Sequence, residues 1–332
     1  MLIISSYTVA IVLLVISMLC WGSWANTQKL ASKSWSFQLF YWDYALGLVL
    51  LSLLFGLTLG SMGEEGRSFL PDLQQADSGA MLSAFMGGVI FNIANLLVVA
   101  AIDLAGMAIA FPIAIGLALV LGVIINYLGE AKGDPLLLFA GVALITLAIV
   151  LNALAYRKKT KGETAVSNKG ILISIVGGII MSFFYRFVAD SLVSDFANPE
   201  MGKLSPYSAV FIFSIGVLLS NFLWNSIFMY RPVTGNAVTY KDYLRQGNLR
   251  LHSIGILGGA IWCMGMFLSI LSSDIAGPAI SYGLSQGATL VAALWGVFIW
   301  KEFKDAPAGT NPLITAMFAS FVIGLALIII AR

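Results

Sequence analysis

The sequence predicts an all-α membrane protein of ten transmembrane helices in two inverted five-helix repeats. Three observations carry that expectation. The chain is too apolar for a soluble domain, its apolar runs are long enough to cross a bilayer, and one stretch of it recurs 171 residues later.

Of the 332 residues, 59% are hydrophobic and 10% charged, against about 25% charged in ordinary soluble domains. A helix needs about 20 apolar residues to cross the hydrocarbon core. Ten runs have that length: 7–28, 39–60, 79–101, 105–128, 135–155, 170–194, 206–230, 253–272, 275–300 and 311–331. A β-barrel would alternate over segments of about ten residues, whereas these runs are continuous. The first run reads as a retained helix. It has no basic leader, and it continues into Trp24 and Asn26 rather than a small-residue cleavage site. Cys20 and Cys263 lie inside apolar runs, so neither a disulfide framework nor a metal site is expected. A formal charge of +2 gives no sign of a nucleic-acid partner.

Basic residues orient the spans. Thirteen Lys and Arg belong to one side: Lys29, Lys33, those of 157–169, Arg231, Lys241, Arg245, Arg250, Lys301 and Lys304. Arg67, Lys132, Lys203 and Arg332 belong to the other. The first side is therefore expected in the cytoplasm, with both termini outside a cytoplasmic (inner) membrane. The segment "RKKTKGETAVSNK" (157–169) is polar and without apolar periodicity, so it reads as a linker between a first unit, 1–156, and a second, 170–332.

Residues 87–116 align without a gap on 258–287, pairing Gly87, Gly88, Asp103, Ala105, Gly106 and Gly116 with Gly258, Gly259, Asp274, Ala276, Gly277 and Gly287. A unit with an odd number of spans inserts its second copy upside down. That is the architecture of many secondary transporters, whose solute sites lie near mid-bilayer between the halves. Asp103 and Asp274 are expected to cap the helices that follow them.

Polar residues inside spans either tie helices together or line a pathway. Asn92 and Asn95 share a helix face and align with Cys263 and Met266. Ser285 and Gln286 align with Ala114 and Ile115, and Tyr282 aligns with Phe111. Polarity in only one half suits an asymmetric ligand, although interhelical hydrogen bonds would look the same. In "LCWGSWANTQKLA" (19–31), Trp24 beside Asn26 offers a flat face next to an amide, suited to a planar solute. Lys29 reads as an interfacial anchor reaching the cytoplasmic headgroups, and Trp21 reads equally as an anchor or as part of the lining. Small residues at Ala118 and Gly122 suggest close helix packing, and Pro112 and Pro278 free backbone groups that a cavity could satisfy.

Charge within the spans is sparse. Arg186 and Asp190 are four apart and expected to pair. Asp43 is at the depth of Lys29 and reads as its ion-pair partner or as a protonatable coupling group. All three are candidates for coupling or gating. His252, the sole histidine, gives no support to a metal site or a histidine relay. Helix 1 lacks the carboxylate expected of a carrier of cationic drugs, and Arg186 alone is too little cation for phosphorylated cargo. A neutral polar solute remains, either a sugar or a ureide or nucleobase, because amides match both.

Several stretches resemble the ureide permease family of plants and its bacterial relatives, within the drug/metabolite transporter superfamily. They are "WGSWANTQKL" with Gly22 and Trp24, "FYWDY" with Asp43 and Tyr44, "GGVIFNIAN" ending in Asn95, "NYLGE" (126–130), "MYRPVTG" (229–235), and "SQGATLVAALWGVFIWKEF" (285–303) with Gln286, Trp295, Gly296 and Glu302. The resemblance implies the drug/metabolite transporter fold and proton-coupled uptake of heterocyclic nitrogen compounds. The linker here is short and lacks the Gly-Lys motif ascribed to the plant proteins, so ATP is not expected as a cofactor; a proton or sodium gradient is. Relatives in the glucose/ribose porter group share the architecture, which keeps a sugar or nucleoside open as cargo. An exporter of the same fold, a channel and a membrane enzyme are the competing classes. No nucleophile or metal constellation supports the enzyme. Expected partners are the solute and the lipid bilayer, with a homodimer left open.

Overall fold

The computed structural model describes residues 1–31, 35–159 and 167–332. Lys33, Lys161 and positions 160–166 of the linker lie outside the described residues. The first half comprises α1 (Tyr7–Ser23) with α2 (Ala25–Leu30), α3 (Phe37–Leu57), α4 (Phe69–Gln75), α5 (Ser78–Ala105), α6 (Met107–Gly129) and α7 (Pro135–Lys159). The second comprises α8 (Asn168–Met181) with α9 (Phe184–Ser191), α10 (Pro206–Tyr230), α11 (Tyr240–Gln246) and α12 (Leu249–Ala276). After these come α13 (Pro278–Ser285), α14 (Ala288–Leu294) with a π turn over Trp295–Ile299, and α15 (Thr310–Ile330). Ten helical segments among them are long and apolar enough to cross a membrane. Helix is what hydrocarbon demands, because each backbone N–H and C=O must find its partner inside the segment.

The halves share a register beyond the aligned glycines. The seven-residue helices α4 and α11 stand 171 positions apart, as do the 28-residue helices α5 and α12. Each long helix ends at a glycine of the same conformation, Gly106 at φ 77°, ψ 155° and Gly277 at φ 82°, ψ 152°. An extended backbone at positive φ costs glycine little and other residues much, so the glycine ends one span and opens the next. The aspartates do not cap as expected. Asp103 lies inside α5 and accepts from Thr234 Oγ1 at 3.2 Å, and Asp274 lies inside α12, its backbone carbonyl held by Lys132.

Packing follows the same register. α5 packs on α8 and α10, as α12 packs on α1 and α3, while α7 and α15 pack on each other. A Cβ on Gly88 would overlap the Phe213 carbonyl, and one on Gly259 the Tyr44 carbonyl. Glycine therefore sets the close crossing of α5 with α10 and of α12 with α3. Gly122 makes room differently: it admits the ring of Tyr282, whose hydroxyl donates to the Ala118 carbonyl at 3.0 Å.

The loops gather at two faces. On the terminal face Met1 donates to the Glu65 carbonyl, Tyr7 to that of Ile329, and the Asp134 amide to that of Ala331. The opposite, basic face carries Lys29, Arg157–Lys159 in the last turn of α7, and the 231–250 segment. Basic groups on that last turn also complement the helix dipole. Between the faces, Trp262 at mid-height of α12 stacks on Trp21 at 5.4 Å and meets Phe91 at 4.2 Å and Phe213 at 5.8 Å. Five helices thus converge on rings, with Phe184 of α9 against Phe91 at 5.4 Å.

Candidate solute site

The polar residues singled out by sequence fall into separate neighbourhoods around that aromatic centre. The first is a row of rings. Trp24, at the junction of α1 and α2, lies 4.9 Å from Tyr44, which stacks on Tyr41 at 5.1 Å and 13°. Asn95 Nδ2 donates to the Tyr41 hydroxyl at 3.2 Å. The Tyr44 hydroxyl is buried and has no hydrogen-bond partner among the described residues. An unpaired buried hydroxyl costs about 1–3 kcal/mol, so this one is available to an incoming polar group. Trp24 and Asn95 are thereby brought together through two tyrosines that hydropathy alone does not single out.

The second neighbourhood is a chain of hydroxyls on the terminal side of α14. Ser285 Oγ donates to Ser269 Oγ at 2.9 Å and accepts from Ser17 Oγ at 3.1 Å; Ser269 meets the Tyr185 hydroxyl at 3.0 Å. Tyr282 lies 5.3 Å from the Tyr185 ring and within hydrogen-bonding reach of Gln286. Tyr282, Ser285 and Gln286 are therefore one group, joined to Ser17, Tyr185 and Ser269. Asn92 turns elsewhere, donating to Ser220 Oγ at 2.8 Å and the Val217 carbonyl at 3.2 Å, both on α10.

The third is a cavity of about 140 Å³ at the basic face, between α1 and α2 on one side and α6, α7 and α14 on the other; Asn26, Phe111, Pro112, Asn152 and Thr289 line it. Its mouth is latched. Lys29 Nζ lies 3.1 Å from Glu302 Oε1 and 4.9 Å from the Trp300 ring, Trp300 Nε1 donates to Asn26 Oδ1 at 2.8 Å, and Tyr156 donates to Glu302. Burial pushes the Glu302 carboxyl up, but the hydrogen bonds from Tyr156 and Lys29 and the charges of Lys29 and Lys159 outweigh it and hold it below the usual range.

The expected Lys29–Asp43 pair is not formed. Lys29 is committed to Glu302, and Asp43, 1% exposed, faces α12 and α11 instead. His252 Nδ1 lies 2.9 and 3.0 Å from the two Asp43 carboxylate oxygens, and the Tyr243 hydroxyl donates to Oδ1 at 2.5 Å. Burial first, and then the carboxylate it serves, push the Tyr243 hydroxyl well above the usual phenol range, so it remains a donor. This also corrects the reading of His252, which does pair with a titratable group. Sequence held the clue: Asp43 is near the start of α3 and His252 near the start of α12, two spans that begin on the same face. Arg186 and Asp190 pair as an i, i+4 couple on α9 at the terminal face, away from the other candidates.

Ten helical spans enclosing buried polar groups make this a multi-pass membrane protein. The chain belongs to the ureide permease family, whose model matches residues 40–169 and 157–331. It is 24% identical to Ureide permease 1 of Arabidopsis thaliana over 377 aligned positions, covering 96% of each chain. It is 27% identical to the probable glucose uptake protein GlcU of Priestia megaterium over 239, covering 69% of this chain and 70% of that one. A solved crystal structure shares the fold at a TM-score of 0.61 and 16% identity, covering 97% of this chain and 96% of that chain.

Proposed function

We propose that this protein is a secondary active transporter that imports a small, neutral, flat polar solute of the ureide or nucleobase class, driven by a proton gradient. In this reading the halves are inverted repeats that alternate access, the basic face lies in the cytoplasm, and both termini lie outside the cytoplasmic membrane. Trp24, Asn26, Asn95, Tyr282, Ser285 and Gln286 serve the solute along its path, while Asn92, also a candidate from sequence, ties α5 to α10. The observation that carries the reading is the ring row ending on Asn95 beside the unpartnered Tyr44 hydroxyl. Stacked rings hold a flat solute by its faces, while an amide and a hydroxyl at its edge match alternating N–H and C=O groups. Family membership supports the same class. The two D-x-A-G junctions at opposite faces support inversion.

Purified protein in liposomes is expected to accumulate labelled allantoin or uracil when the outside is acid, and Tyr44→Phe to weaken that uptake. Similarity to GlcU favours a sugar as the second reading. Accumulation of glucose or ribose, with neither allantoin nor uracil taken up, would replace the first reading with the second.

A further inference from the structure

We propose that Asp43 and His252 form the binding site of the coupling proton, with Tyr243 as the positioning residue that holds the carboxylate. The inference rests on the import reading and names the residues that link it to the gradient. A carboxylate 1% exposed within a span needs compensation. Here it has two donors from two other helices, both near the basic face. The His252 side chain is 29% exposed, so one partner touches water while the other is buried. That arrangement gives the proton a way out to water at the basic face.

Location ties the pair to the solute site. Asp43 immediately precedes Tyr44, whose ring joins Trp24 to Tyr41 and Asn95. His252 is on α12, which crosses α3 closely at Gly47, one turn beyond Asp43, and Gly259, two turns beyond His252. Gaining or losing the charge that ties α3 to α12 therefore acts on the helix that carries the ring row. The rest of the fold does not require the pair. With Gly259 on the Tyr44 carbonyl equivalent to Gly88 on the Phe213 carbonyl, the positions of Asp43 and His252 are held in the other half by Ile212 and Met81.

The charged groups around the pair are few. On α2, Lys29 is bound to Glu302; on α11, Asp242 bonds Thr239 and stands near Arg245; on α12, exposed Arg250 lies two residues before His252. The Trp35 ring meets His252 edge-on at 5.6 Å and Tyr243 at 5.7 Å. The step moves one proton. With Asp43 ionised and His252 neutral the pair carries one negative charge; the proton taken from outside water makes it neutral, and its release to water at the basic face restores the charge.

The test uses the full chain in liposomes, with allantoin and uracil as probes, and two readouts of one preparation: exchange of preloaded solute without a gradient, and accumulation driven by an acid exterior. Asp43→Asn and His252→Gln are expected to abolish accumulation while exchange persists. Accumulation that survives in either variant overturns the proposal. Absence of exchange in the parent protein would instead overturn the import reading. A second measurement needs no solute: His252 is the only histidine, so histidine-labelled protein with its affinity tag removed gives one imidazole signal by NMR. That signal should move in Asp43→Asn, because the ring nitrogen lies 2.9 and 3.0 Å from the two carboxylate oxygens. A signal that Asp43→Asn leaves in place overturns the proposal whatever the solute proves to be.

Discussion

At the terminal face α9, which continues the span begun by α8, packs against α13, and Arg186 fills the space over Gly129 at the end of α6. At the basic face the equivalent pieces, α2 and the start of α6, face each other across a cavity of about 140 Å³. Equivalent helices are thus filled at one face and hollow at the other. Ion pairs differ in the same sense. Arg186 and Asp190 belong to one helix and hold no two elements together, whereas Lys29 and Glu302 bridge α2 to the segment after the π turn. A shared backbone register thus carries opposite occupancy at the two faces, and the difference resides in side chains.

The comparison depends first on the halves being built alike, and the largest expected effect tests that. Gly88→Val and Gly259→Val each drive a side chain into a neighbouring helix's carbonyl. Overpacking in a tight core costs about 1–3 kcal/mol and more where backbone must move, so both variants should lose most monodisperse protein and melt well below the parent. If size-exclusion and thermal unfolding in detergent found one tolerated and the other ruinous, the two crossings would not be equivalent.

Much of this architecture is legible in the sequence, because lipid leaves helix as the only way to bury backbone in a continuous apolar run. The 171-residue offset is readable at α5 and α12 but not at α4 and α11, since seven residues carry little hydropathy signal. The D-x-A-G junctions are visible too, yet aspartate draws the eye while glycine's positive φ does the turning. The site is less legible. Glu302 with Lys29, and His252 with Asp43, join residues more than 200 positions apart on different halves. Periodicity within one helix says nothing of such pairs. Tyr41 and Tyr44 sit in "FQLFYWDY", where aromatic bulk hides two hydroxyls.

A smaller effect separates the halves by chemistry rather than packing. Asn95 and Met266 occupy equivalent positions, but Asn95 alone presents an amide, which bonds Tyr41. That bond holds the amide in place for the proposed solute, and losing a hydrogen bond to solute is worth about 0.5–1.5 kcal/mol, up to about tenfold in affinity. Asn95→Ala is expected to raise the half-saturating solute concentration by about that factor, with Met266→Ala leaving it alone and lowering only the melting temperature. Equal losses of affinity in uptake assays would place the solute on the pseudosymmetric axis and dissolve the asymmetry argued above.

The smallest effect concerns the latch over the cavity. Lys29 and Glu302 side chains are 49% and 25% exposed, and pairs so open to water are worth under about 1 kcal/mol. Glu302→Gln should therefore change the exchange rate by no more than about fivefold, and a half-saturating concentration left unmoved would assign the pair to opening rather than to binding. Screening should shrink the difference from the parent as salt rises toward about 1 M, where the Debye length falls to about 3 Å. The carboxyl's lowered pKa fixes the pH behaviour. A depressed acid contributes above its ordinary range and loses its contribution as pH falls through the lowered value. The latch should stay closed by charge throughout the neutral range and let go only in strong acid. A Glu302→Gln variant that exchanged solute at the parent's rate at low salt would mean that Trp300 on Asn26, not the ion pair, holds the basic face.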